Sequence, residues 1–61
     1  MADEPKYHVG EQVYRTADPF ELETIRRIST DLRGNHWYYT WTAAHIMRTF
    51  PLAEHMIERA G

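Results

Sequence analysis

Sixty-one residues without a single cysteine make one small domain, and they exclude a disulfide framework and a thiolate metal site. A net charge of −2, from nine acids against seven lysines and arginines, excludes a chain that holds nucleic acid by bulk charge alone. No apolar run approaches the roughly 18 residues of a membrane span and no signal-peptide pattern opens the sequence, which predicts a soluble, cytoplasmic protein with no membrane partner. A chain this short buries only about 60% of its unfolded surface, so an oligomer interface is one source of further burial.

Residues 1–7 are polar, contain Pro5 and show no periodicity; they predict a flexible tail, with the folded body spanning residues 8–61. His8 to Arg15 reads as a turn followed by a short strand, with Val9, Glu11 and Val13 on one face and Gln12 and Tyr14 on the other. Ala17-Asp18-Pro19 reads as a loop.

Phe20 to Leu32 supports two readings. In the first, Asp18 caps a helix, Pro19 takes its first position, and Leu22, Ile25, Ile28 and Leu32 form its apolar stripe before Gly34. In the second, Leu22 to Thr30 is a strand and Asp31 to Asn35 a loop. Ile25 and Ile28 are three apart, and only a bent or bulged strand turns both towards one core.

The run Asn35-His36-Trp37-Tyr38-Tyr39-Thr40-Trp41-Thr42 holds four of the eight aromatic residues. Wide side chains without Gly, Pro or charge predict a strand, and Gly34-Asn35 before it is turn chemistry. Trp37, Tyr39 and Trp41 share one face; His36, Tyr38, Thr40 and Thr42 share the other. Three large aromatics on one side predict the core face. Ile46 to Phe50 then reads as a returning strand connected through Thr42 to His45, Pro51 to His55 as a helical turn, and Met56 to Glu58 as a short closing strand. The predicted core is Val13, Ile25, Ile28, Trp37, Tyr39, Trp41, Phe50, Leu52 and Ile57.

The order of these features resembles the SH3-like small-barrel families. Gly10-Glu11-Gln12-Val13 matches their Gly-acid-x-Val opening strand, and Thr24 to Ile28 matches the bent second strand with apolar residues three apart. Trp37 to Trp41 matches the aromatic third strand. Phe50-Pro51-Leu52-Ala53-Glu54-His55-Met56-Ile57 matches the aromatic-Pro ending with a single 3₁₀ turn and a last apolar strand. The plasmid-borne trimethoprim-resistant dihydrofolate reductases share this plan. The resemblance, over about residues 8 to 59, implies an all-β, SH3-like small barrel of four to five short strands with a 3₁₀ turn before the last. The ligand-binding Val-Gln-Ile-Tyr of that reductase is replaced here by residues of Ile46 to Phe50, and the Ala-Leu-Tyr-Asp-Tyr strand of peptide-binding SH3 domains is missing. Neither activity is carried over.

His8, His36, His45 and His55 show no metal-ligand spacing, and Ser29 is the only serine; no metal site, cofactor or catalytic group is predicted. The candidate partner-binding surface is Tyr38, taken as outward-facing beside His36, with Arg26 and Arg48 on flanking strands and Arg33 in the turn. Tyrosine and arginine are enriched at interfaces. The expected function is a non-enzymatic interaction module, an adaptor, inhibitor or regulator of bacterial or phage type, binding a protein partner or itself. One alternative is single-stranded nucleic acid held by the aromatic and arginine face. Another is an oligomeric, reductase-like, ligand-binding barrel.

Overall fold

The computed structural model describes residues 4–44 and 46–60. Five strands occur in the order β1 (Gln12–Arg15), β2 (Asp18–Thr30), β3 (His36–Thr42), β4 (Leu52–Ala53) and β5 (Ile57–Arg59), with a 3₁₀ turn at Glu54–Met56 between the last two. They form one antiparallel sheet, ordered β4-β3-β2-β1-β5, which curls into a half-barrel. The expectation of an all-β fold of four to five strands, with a 3₁₀ turn before the last, therefore holds. The helix reading of Phe20 to Leu32 does not: Asp18–Thr30 is one thirteen-residue strand. β-branched Thr24, Ile25, Ile28 and Thr30 fit a pleated surface, and sheet pairing on both sides of β2 overrides the helix-like spacing.

The spacing problem in β2 is resolved by a bulge. Ile25 pairs with Thr40 and Arg27 with Tyr39, so Arg26 is the extra residue. The insertion resets the alternation and puts Ile25 and Ile28 on the same side. The β2–β3 turn is held by Asp31, whose carboxylate accepts the backbone N–H groups of Arg33 and Asn35, both at 2.9 Å. Gly34 closes it at φ +86°, a conformation that a residue with a Cβ rarely takes.

The faces of β3 are the reverse of the predicted ones. Tyr38, Thr40 and Thr42 are buried at 0, 0 and 2% exposure, whereas Trp37, Tyr39 and Trp41 are half-buried on the convex side. The core comprises Tyr7, Val13, Ile25, Tyr38, Leu52 and Ile57, with Ile28 packed against it. Two physical reasons account for the reversal. A half-barrel this narrow has little room inside for three wide rings on one strand. The volume is instead filled from outside the predicted domain by Tyr7, whose ring meets that of Tyr38 edge-on with centroids 5.5 Å apart.

Tyr7 also corrects the domain boundary. It is buried, and its hydroxyl donates to the Ile57 carbonyl at 3.1 Å, so the packed body starts before residue 8; residues 1–3 of the predicted tail lie outside the described residues. Phe50, placed in the predicted core, is 77% exposed. The predicted fourth strand at Ile46 to Phe50 reduces to one bridge, Trp41 to Met47, and the pairing strand is Leu52–Ala53. Of the predicted connection Thr42 to His45, Thr42 ends β3, Ala43 and Ala44 form a turn, and His45 lies outside the described residues.

Candidate interaction surface

Both phases of β3 carry polar chemistry, and they differ in kind. On the concave side, Glu23 pairs in register with Val13 and Thr42 and is 1% exposed. Thr40 donates its hydroxyl to Glu23 Oε1 at 2.6 Å. Arg48 reaches Glu23 through Nε and Nη2, each at 3.4 Å, and gives a shorter bond to Glu21 at 2.7 Å. Arg15 Nε lies 3.1 Å from Glu23 Oε2, a close ion contact without hydrogen-bond alignment. A buried carboxylate without such partners would be strongly unfavourable. The cluster is internally matched and serves the fold.

Further along the same face, the Tyr38 hydroxyl donates to Glu54 Oε2 at 2.6 Å. The Lys6 backbone N–H reaches the same oxygen at 3.0 Å. Burial, then the Glu54 carboxylate, push the Tyr38 phenol up to about 12. The Tyr38 bond and then the Lys6 N–H hold the Glu54 carboxyl below its ordinary value.

On the convex side the odd residues of β3 form a stripe. Trp41 lies across from Thr24 and Met47, Tyr39 across from Arg27, and Trp37 across from Ser29 and Ala53. The bulge places two guanidinium groups on the central ring, with the Arg27 Cζ 4.4 Å and the Arg26 Cζ 5.6 Å from the Tyr39 centroid. The Nε of Arg26 is buried without a hydrogen-bond partner. Trp37 is fixed in orientation by its indole N–H, which donates to Asp31 Oδ2 at 3.1 Å.

Where the stripe meets the 3₁₀ turn there is a half-open cleft of about 500 Å³. It is lined by His36 and Trp37 of β3, by Ala53, Glu54 and His55 of β4 and the 3₁₀ turn, and by Glu4 and the Gly34-Asn35 turn.

The predicted site residues are thus divided. Tyr38 is fully buried and offers no outward surface; its hydroxyl is used by Glu54. Arg48 belongs to the Glu23 cluster rather than to a surface stack on Tyr38. Arg26 does stack on a β3 ring, but on Tyr39. His36 borders the cleft, with Nδ1 2.9 Å from the Thr30 hydroxyl. Arg33 is exposed in the turn beside it. The sequence reading missed Arg27, Glu54 and the outward role of the tryptophans. A signal for the concave charges was present: Arg15 is in phase with Val13 and Glu23 with Ile25, so opposite charges fall two residues from core positions on neighbouring strands.

No group of three or more His, Cys, Asp or Glu side chains that would hold a metal ion occurs among the described residues. No helix among them is long and apolar enough to cross a membrane. Comparison with protein-family models, curated proteins and solved structures found no match.

Proposed function

We propose that this chain is a non-catalytic interaction module whose convex β3 face binds a protein partner. The carrying observation is the stripe of Trp37, Tyr39 and Trp41 with two arginines stacked on its middle ring. Tyrosine, tryptophan and arginine are the residues that dominate binding energy at protein interfaces. Rigid rings ordered by a strand lose little entropy on contact. The residue-level resemblance to SH3-like barrels, folds that commonly serve as interaction modules, supports the same reading.

The partner presents carboxylates opposite Arg26 and Arg27. Pairing two copies of this face about a two-fold axis through Tyr39 would set these arginines against their own copies, which opposes self-association there. Nucleic acid is disfavoured because Glu4 and Glu54 sit at one end of the stripe, where a phosphate backbone would meet negative charge.

The test uses immobilised full chain and source-cell lysate, with Trp41→Ser and Arg27→Glu as paired variants. The expected result is one protein retained by the wild type and lost by both variants, each still folded and melting cooperatively. Concentration-dependent sedimentation abolished by Trp41→Ser would replace the partner by a second copy. Oligonucleotide binding that falls steeply with salt would replace it by nucleic acid. Retention of every captured protein by both folded variants would overturn the reading.

A further inference from the structure

The cleft at the Trp37 end of the stripe is chemically unlike the stripe itself. Its wall is an indole ring, and that ring is held by a hydrogen bond from Nε1 to Asp31. Two carboxylate residues, Glu54 and Glu4, also line it. Glu54 is anchored through one oxygen only, Oε2, which takes both the Tyr38 hydroxyl and the Lys6 N–H; among the described residues Oε1 receives no hydrogen bond. The ammonium group of Lys6 lies over the Tyr7 ring, 5.4 Å from its centroid; the charges of His36 and Lys6 are the smallest of the causes that lower the Glu54 carboxyl.

We infer that this cleft is a receptor for a single cationic side chain, an arginine guanidinium or a lysine ammonium. The cation lies against the face of Trp37 and donates hydrogen bonds to Glu54 Oε1. Each half of this arrangement is weak at a partly open surface. Together they discriminate, because a neutral side chain gains neither the ring quadrupole nor the carboxylate. A guanidinium suits the site better than an ammonium, since it stacks flat on an indole while its edge donates to a carboxylate. Anchoring Glu54 through Tyr38 keeps the free oxygen aimed without a conformational search on binding. The site is separate from Arg26 and Arg27, and its test needs no protein partner, so either reading can fail without the other.

The experiment titrates the tripeptide Gly-Arg-Gly into full-length, isotope-labelled protein, with Gly-Lys-Gly and the neutral Gly-Gln-Gly alongside. The readout is the indole N–H resonance of Trp37, with that of Trp41 as internal reference. Gly-Arg-Gly is expected to shift the Trp37 signal saturably, Gly-Lys-Gly to do so more weakly, and Gly-Gln-Gly not at all. Glu54→Gln is expected to weaken Gly-Arg-Gly binding about fivefold, and Trp37→Leu, followed through the backbone amides of Gly34 and Asn35 that also line the cleft, about three- to fivefold. Because Glu54 also receives the Tyr38 hydroxyl, Glu4→Gln serves as a variant away from the core, with an expected loss of about twofold. Equal shifts from the arginine and glutamine peptides, or no shift of Trp37, would overturn the inference. So would undiminished binding in Trp37→Leu and in Glu4→Gln.

Discussion

The two sides of β3 use the same kinds of atoms for opposite ends. The concave side carries Tyr38, Thr40 and Thr42, each with a hydroxyl, and it is the buried side. The convex side carries Trp37, Tyr39 and Trp41, much the larger apolar surface, and it stays half in solvent. Burial here follows the space available and the hydrogen bonds on offer, not side-chain hydrophobicity. Thr40 and Tyr38 each give a hydroxyl to a carboxylate, Glu23 and Glu54 respectively, both at 2.6 Å. Inside so small a half-barrel, those pairings allow acids to sit on the core face.

Swapping a residue on one side against one on the other gives the sharpest test. Tyr38→Ala removes the central ring of the core and the partner of Tyr7; about 4 kcal/mol is expected to be lost. A domain of this size has stability near the lower end of about 5–15 kcal/mol, so far-ultraviolet circular dichroism should show a barely stable chain that melts only a little above room temperature. Glu23→Ala comes next. It leaves Arg15, Arg48 and the Thr40 hydroxyl without their shared acceptor, and a loss of about 3 kcal/mol is expected in urea denaturation. Trp41→Ala, on the convex side, forfeits cross-strand contacts with Thr24 and Met47 and should cost about 1 kcal/mol. A Trp41→Ala cost equal to that of Tyr38→Ala would restore the inverted arrangement of the strand.

A test on the concave side alone lies in pH. The Tyr38 phenol is raised in the folded state, so its contribution is complete below the ordinary phenol value of 10.0 and is lost as pH climbs towards about 12. Glu54 is depressed, so its contribution is present above the ordinary carboxyl value of 4.5 and is lost as pH falls through the lower folded value. Melting temperature against pH should therefore fall off at both extremes. Tyr38→Phe should remove the alkaline shoulder, and an unchanged shoulder in that variant would show that other groups cause it.

Much of the fold was legible because its signals are local. The Gly34-Asn35 turn and the aromatic strand each announce themselves within a few residues, and a 3₁₀ turn before the last strand was expected too, although it lies at Glu54–Met56 and not at Pro51 to His55, where Leu52–Ala53 is strand. Ile25 and Ile28 even announced the bulge. The facing of β3 was not legible from its own composition, because ring size argued for one side and the register to β2 decided the other. Following Ile25 and Ile28 across the ladder would have led to Thr40 and Tyr38. Tyr7 escaped because it lies beyond the first turn, among polar neighbours. The cleft escaped for a different reason: Glu4, Trp37 and Glu54 come from three distant parts of the chain, and it takes the pairing of Trp37 with Ala53 to set Glu54 beside the indole residue.

The bond from Tyr7 to Ile57 joins residues 50 positions apart, and β1 pairs with β5 across a similar span. Such contacts carry the largest loop-closure entropy in the molecule and form late, after the β2–β3 hairpin has collapsed locally. During synthesis, the growing chain would therefore hold Val13 and Tyr7 uncovered until β5 has left the ribosome. A chain ending at Met56 should then be recovered as an aggregate or a proteolysed fragment rather than as a slightly weakened domain.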